Sequence, residues 1–350
     1  MTTLAQRDDG ELARGIARWC AHRRPESAHE VAELTRPNSG WSNETLLVTT
    51  LARRGSDTTR ERLVVRLPPT LPTWPAYDLG AQARVLEALA ARGIPVPRVI
   101  AYEESEAWLG APFLVMSHEP GRPGAELPAF DPWIVDAPLD EQRRLHEAFI
   151  TMLASIHRVD WRAAGLDHTL RGGESAIGAE IAWWREYIEW AADGEPTPGL
   201  AAAIAWCATN APTAEPPASL CWGDPRIGNV LFADDRSVTS VLDWELATIG
   251  PAESDLAWYL ALDELTVAFT KRTVPGFLDR EELVACYEHA LGREVRDLPW
   301  HEIFAVTRSI AINERQARLA ATTGVPYPGV AGDENPVLRR LTRKIDGFAA

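Results

Sequence analysis

Lysine is all but missing from this chain: Lys271 and Lys344 are the only two among 35 basic residues. Any site that needs a cation before residue 271 must therefore use arginine. Positive charge is short overall, since 50 carboxylates leave a net charge of −15. That balance argues against nucleic acid as a partner, because a phosphate backbone demands a basic footprint. It fits a cationic or neutral small substrate, and acidity also serves solubility. Long apolar runs are missing too. The least charged stretch, PTPGLAAAIAWCATNAPTA, is broken by prolines and polar residues, so no membrane span is expected. The opening MTTLAQRDDGELARG carries charge where a signal peptide has its apolar core, which predicts a cytoplasmic protein. Cys20, Cys207, Cys221 and Cys286 are too scattered for a CxxC metal knuckle and read as free, mostly buried thiols. The histidines, His157 and His301 among them, form no HExxH or comparable pattern and read as packing or surface residues.

What is present is an ordinary globular composition, 46% hydrophobic and 24% charged, in 350 residues. A chain of that length buries a sizeable core and is expected to split into two lobes. ETLLVTTLAR and ERLVVRLP are β-rich runs separated by the turn-forming RGSDT. After a proline-rich loop, YDLGAQARVLEALAARG reads as a helix with a glycine stop. RVIAYEE and APFLVMSHE follow as strands. From about residue 138 the pattern changes to long helices, in LDEQRRLHEAFITMLASIHRV, AEIAWWREYIEWAA, GLAAAIAWCATNA, SDLAWYLALDEL, REELVACYEHAL and WHEIFAVTRSIAINERQARLAA. The expected class is α+β, with a β-rich N-terminal lobe over 1–117 containing one main helix. A larger, mainly helical lobe covers 118–350, with the switch at about 116–121.

The densest chemistry lies in GDPRIGNVLFADDRSVTSVLDWE. NVLF and SVTSVL flank the turn-forming ADDR and predict an antiparallel hairpin. A hairpin sets the start of its first strand beside the end of its second, so Asn229 and Asp243 become neighbours. Asp224 precedes Asn229 by five residues on a loop with Pro225 and Gly228, so its carboxylate can face the same pocket. Two hard-oxygen ligands suit Mg²⁺. A further carboxylate just off the metal can orient a hydroxyl nucleophile and accept its proton. The bland alternative is a Gly-Asp-Pro turn and an aspartate that merely ends a strand. The joint spacing argues against it, because D-x-x-x-x-N followed by a metal-binding aspartate is the catalytic-loop pattern of protein kinases.

WGDPRIGNVLF, VLDWELATIGPAESDLAW and, upstream, SGWSNETLLV, LVVRLPP, GIPVPRVIAYEE, LGAPFLVMSHEPGR and LASIHRVD together resemble the aminoglycoside phosphotransferase family of small-molecule kinases. Within it they are similar to the branch related to kinase domains fused to acyl-CoA dehydrogenases. The resemblance covers about residues 38–260. It implies a bilobal, protein-kinase-like fold and transfer of a phosphoryl group from ATP or GTP to a hydroxyl of a small molecule. It implies Asp224 as the catalytic aspartate and Asn229 and Asp243 as Mg²⁺ ligands. Asp255 resembles a family aspartate that braces the catalytic loop, or else caps the helix beginning at Leu256. Glu245 either approaches a metal or substrate or is a solvated carboxylate.

Ser39, Gly40 and Ser42, in NSGWSNET, lie where a kinase covers the nucleotide phosphates. With a single glycine the segment is no GxGxxG loop, and a polar turn opening a strand is the alternative. Three departures from the pattern stand out. Arg66 occupies the position of the nucleotide-anchoring lysine, and its fork geometry is not interchangeable with an ammonium. Gln82 stands where a helix glutamate would pair with that cation. Trp222 replaces the histidine before Gly-Asp, as an aromatic packing substitute. Met116, at the switch between lobes, completes the expected nucleotide-contacting set. Arg226 either balances charge on the transferring phosphoryl group or is a surface arginine.

On the substrate side, aromatic residues in AWWREYIEW and AIAWC either wall an acceptor site or are core. Glu186, Glu189 and Glu314 would meet a cationic acceptor, and Arg308 or Arg315 an anionic one. Two other readings compete: a nucleotide-binding pseudokinase, favoured by Arg66 and Gln82, and a metal-dependent hydrolase, which needs more ligands than the hairpin offers. The oligomeric state is not encoded in any motif.

Overall fold

The computed structural model describes residues 7–37, 42–173, 176–214, 216–324, 329 and 331–348. Its contacts cluster into two compact units. One takes in the described residues of Met1–Ala83, Pro97–His118 and Arg315–Pro328; the other takes in those of Arg84–Val96, Glu119–Glu314 and Gly329–Ala350.

The first unit is built on an antiparallel sheet of β1 (Ala28–Thr35), β2 (Glu44–Arg54), β3 (Asp57–Leu67), β4 (Val99–Glu103) and β5 (Phe113–Ser117), in the order β1-β2-β3-β5-β4. β2 and β3 are the two runs on either side of RGSDT. Their register closes at Arg54 opposite Asp57, with Gly55 at a φ of +62° that suits glycine in a tight hairpin. Alternation along β3 buries Leu63, Val65 and Leu67. Against that face packs α1 (Asp9–Arg23), which the sequence reading missed together with β1. The physical signal for α1 was present. Asp8 caps it by accepting from the Glu11 backbone N–H at 2.8 Å, and Asp9 and Glu11 sit in its first turn, His22 and Arg23 in its last. Its short apolar stripe, Leu12, Ile16, Trp19 and Cys20, is buried in the core with Leu46, Val48, Phe113 and Val115. The predicted helix α2 spans Leu79–Ala90.

The second unit is mainly helical: α3 (Pro132–Val135), α4 (Leu139–His157), α5 (Ala176–Ala191), α6 (Pro198–Thr209), α7 (Ala252–Thr270), α8 (Arg280–Leu291), α9 (Leu298–Thr323, beginning here) and α10 (Pro336–Phe348). The six helices expected after residue 138 are all present, and α10 is additional. Two small sheets complete the unit. β6 (Arg122–Pro123), β8 (Val230–Phe232) and β9 (Val238–Val241) form one, in the order β6-β8-β9. β7 (Ala218–Cys221) and β10 (Thr248–Pro251) form the other, antiparallel, with Thr248 opposite Cys221. β8 and β9 are the predicted hairpin, with Val230 opposite Val241. The chain between β7 and β10 therefore starts and ends at one place, and it carries the hairpin and the residues singled out above. No described helix is long and apolar enough to cross a membrane.

Candidate active site

The second unit gathers Asp224, Arg226, Asn229 and Asp243 around one loop. Asp224 follows β7 by three residues, and a single 3-10 turn, Ile227–Asn229, leads into β8. The Asp224 carboxylate is half-buried and heavily engaged. Its Oδ2 accepts from Arg226 Nε at 2.8 Å and from Asn229 Nδ2 at 3.0 Å. Its Oδ1 accepts from the indole N–H of Trp258, on α7, at 2.9 Å. Asn229 Nδ2 also reaches the Asp224 backbone carbonyl at 3.1 Å, so the nitrogen end of that amide is committed to the loop.

Asp243 lies just past β9. The Leu242 N–H donates to the Asn229 carbonyl at 2.8 Å, which places Asn229 and Asp243 side by side as the hairpin argument expected. Asp243 takes a left-handed backbone, φ +62°, a conformation that aspartate tolerates better than most residues. Such outliers persist where the surroundings fix them. Here the fixing group is Trp222, whose indole N–H donates to the carbonyls of Leu242 and Asp243 at 2.8 and 3.1 Å. Trp222 is fully buried and packs against Phe149 and Trp244. The residue read as an aromatic filler is thus also a hydrogen-bonding tie between the Asp224 loop and the Asp243 turn.

Asp255 settles between its two readings by position. Helix α7 begins at Ala252, so Asp255 lies inside it and does not cap it. Its carboxylate accepts from the Trp222 N–H at 2.6 Å, from the Gly223 N–H at 3.0 Å and from His157 Nε2 at 3.0 Å. His157 Nδ1 in turn meets the Tyr287 hydroxyl at 2.5 Å. His157 is therefore part of a buried brace beneath the loop. Gly223 is needed there, because its φ is +93° and an added Cβ would lie 2.3 Å from the Leu246 carbonyl. His157, Cys221 and Asp255 have ligand-type atoms within 4.8 Å of one another. Those atoms are already hydrogen-bonded to one another's neighbours, Cys221 Sγ to the Pro251 carbonyl at 3.3 Å. Burial, with Asp255 and Glu180 nearby, also pushes the Cys221 thiol well above its usual range, which disfavours a thiolate ligand.

Arg226 is the cation of the site. Besides Asp224 it binds Glu126, Nη1 to Oε2 at 2.5 Å. Burial alone would lower its pKa, but the charges of Asp224, Glu126 and Asp243 outweigh it and raise the guanidinium above the ordinary arginine value. Glu126 was not singled out in the sequence. It arrives through Gly124, whose Cβ position is filled by the Ile227 carbonyl at 2.0 Å and whose N–H donates to the Val230 carbonyl at 2.8 Å.

In the first unit, Arg66 on β3 donates from Nη1 to the Gln82 Oε1 at 3.4 Å, a long hydrogen bond between the two residues that depart from the kinase pattern. Gln82 is buried and Arg66 half-buried. Met116, on β5, is buried opposite Val64 and Val99. Ser42 precedes β2, whereas Ser39 and Gly40 lie outside the described residues. Of the acceptor candidates, Glu186 and Glu189 are exposed, Arg308 and Glu314 are buried, and Arg315 donates to the Pro72 carbonyl at 3.0 and 3.1 Å. Trp183, Trp184, Tyr187 and Trp190 form a ring cluster along α5, with Trp184 and Tyr187 in the core.

A half-buried aspartate held by an arginine and an asparagine, on a loop tied to a second aspartate, is the constellation of kinase-like phosphotransferases. The profile of the phosphotransferase enzyme family, APH, matches residues 33–301, and the chain belongs to that family. Among curated proteins it is 31% identical over 301 residues to acyl-CoA dehydrogenase family member 11 of Gallus gallus, covering 81% of this chain. It spans only 22% to 36% of the length of the curated relatives it matches, so the likeness concerns one part of them. Among solved structures, a candidate aminoglycoside phosphotransferase from Ralstonia eutropha aligns with a TM-score of 0.66 at 20% identity, over 98% of this chain and 96% of that one. A thermostable variant of the aminoglycoside phosphotransferase APH(4)-Ia, in a ternary complex with AMP-PNP and hygromycin B, aligns with a TM-score of 0.57 at 13% identity, over 96% and 99%. At these identities the structures establish the fold, which is the kinase-like α+β fold expected from the sequence.

Proposed function

We propose that the chain transfers the γ-phosphoryl group of ATP, or of GTP, to a hydroxyl of a small molecule. The observation that carries this reading is the Asp224 carboxylate, fixed by three side-chain donors on a loop braced by Asp255 and tied to Asp243. In the reaction the bond from the γ-phosphorus to the nucleotide's bridging oxygen breaks and a bond to the acceptor oxygen forms. The hydroxyl proton passes to Asp224 and then to solvent, leaving a phosphate monoester and a nucleoside diphosphate. Asp224 orients the hydroxyl for in-line attack, and positioning with charge stabilisation supplies the rate. Arg226 places its guanidinium beside the transferring group.

Asn229 and Asp243 would hold Mg²⁺. The donor set fits a hard cation, since Asp243 offers a carboxylate and the committed amide nitrogen of Asn229 leaves its oxygen end for a ligand. When bound, the metal neutralises charge on the nucleotide phosphates. Ser39, Gly40, Ser42, Arg66, Gln82 and Met116 are the proposed nucleotide contacts, with lobes 1–117 and 118–350 hinged at about 116–121. The AMP-PNP complex of a structural neighbour supports an adenine nucleotide. The acceptor panel spans aminoglycosides, macrolides and hydroxy-acyl compounds, and the site is taken to work in the cytoplasm. A nucleotide-binding pseudokinase is the second reading, favoured by the 3.4 Å pairing of Arg66 with the neutral amide of Gln82. Nucleotide consumption with an acceptor, dependent on Mg²⁺ and lost in Asp224→Asn, separates the two.

A further inference from the structure

The four lone-pair sites of the Asp224 carboxylate are unequally used. Arg226 and Asn229 take both on Oδ2, and Trp258 takes one on Oδ1. Among the described residues no other side chain donates to it, so a single lone pair, on the Trp258 oxygen, is left for an acceptor hydroxyl. An indole N–H only donates, so Trp258 cannot receive the proton; it can only set where the remaining lone pair points.

Trp258 is itself held. Its ring is buried, and the guanidinium carbon of Arg308, on α9, lies 4.7 Å from the ring centre. The same guanidinium lies 5.5 Å from Trp184 and from Phe304. Arg308 is buried with Nε and Nη2 making no hydrogen bond, so aromatic faces hold it, in the field of Glu180 and Asp255. A fixed cation on one indole face locks the ring plane and strengthens its N–H as a donor. Sequence spacing places Trp258 three residues after Asp255, on one face of α7, so one helix supports both the loop backbone and the loop carboxylate.

We infer that Trp258 is a positioning residue of the phosphotransfer site, which holds Asp224 Oδ1 so that its free lone pair meets the acceptor hydroxyl, and that Arg308 holds Trp258 in turn. The inference rests on Asp224 being the base of the proposed reaction. Its test is Trp258→Phe, which keeps an aromatic face for Arg308 and removes the N–H together with part of the ring system. The expected result is a fall in kcat of about 10- to 100-fold, the worth of one charge-assisted hydrogen bond, with KM for nucleotide unchanged. Arg308→Lys retains more activity than Arg308→Met. An unchanged kcat in folded Trp258→Phe would overturn the inference.

A second readout needs no turnover. The Trp258 indole proton, assigned by its loss in Trp258→Phe, is protected from exchange in the wild-type protein and loses protection in Asp224→Ala. If that resonance is unprotected, or indifferent to Asp224→Ala, the inference fails whatever the activity. Absence of transfer by the wild-type protein, with the indole proton protected, instead contradicts the phosphotransferase reading alone.

Discussion

In the proposed reaction Asp224 carries the chemistry at the scale of a single residue. For that reaction, Asp224→Asn keeps the shape and an acceptor for Trp258 but removes the base and turns an amide donor toward Arg226 and Asn229, so transfer should fall by about 10²- to 10⁴-fold and the melting temperature should drop modestly. Steady-state kinetics beside a thermal melt check both halves. A second residue-scale prediction concerns pH. His146 is buried, its Nδ1 accepting from the Leu278 N–H at 3.0 Å, which leaves Nε2 to donate to the Tyr259 hydroxyl at 2.8 Å. Burial, with Arg143 nearby, lowers its pKa to about 3. The unfolded chain takes up that proton near pH 6.5. Between about pH 6.5 and 3 the unfolded state therefore binds the proton and the folded state does not. Stability is steady above that window and falls as pH drops through it, and His301, lowered to about 4, adds in the same direction. Urea unfolding at neutral and mildly acidic pH measures this, and His146→Gln reduces the slope. At this scale Asp224, Asn229 and Asp243 were legible, because a fixed local spacing and one hairpin bring them together. Trp258 and Glu126 were not, since they reach the loop from 34 and about 100 residues away. The cue for Trp258 was its place one helical turn beyond Asp255 in SDLAW.

Elements hold the loop in shape, and α7 does most of it. Its Asp255 satisfies the backbone N–H groups of Trp222 and Gly223, two donors that burial would otherwise leave orphaned. Asp255→Ala should cost about 1–3 kcal/mol for each orphaned donor and reduce transfer as well, read by denaturant unfolding and kinetics. Gly223→Ala meets a positive φ and the Leu246 carbonyl together, so it should displace the loop and impair transfer more than it lowers stability. The β8–β9 hairpin and the helices of the second unit were legible as periodic runs bounded by turn residues. β7 and β10 were not, because short buried strands show no alternation, and the exposed β6 is only two residues long. Helix α1 and strand β1 were not legible, because α1 has only a short apolar stripe in a charged stretch and β1 alternates between exposed and half-buried positions with no buried face. The apolar stripe of α1 becomes meaningful when it meets the sheet.

At the scale of the whole molecule, a chain with two lysines has built its candidate nucleotide and phosphate contacts from arginine, Arg66 in one unit and Arg226 in the other. Arg66→Ala should raise KM for the nucleotide with little effect on folding, read by nucleotide titration of the variant. The family and the fold class were legible from motifs spread along the chain, because each motif is a local pattern. The acceptor was not, since no local motif in the chain specifies it. The central claim is transfer of a phosphoryl group from a nucleoside triphosphate to a hydroxyl. Its direct test is to follow γ-labelled ATP and GTP with Mg²⁺ against aminoglycosides, macrolides and hydroxy-acyl-CoA compounds, beside Asp224→Asn. The account predicts label on an acceptor hydroxyl that vanishes in the variant. Nucleotide that binds while its label stays put, or passes only to water, would contradict it.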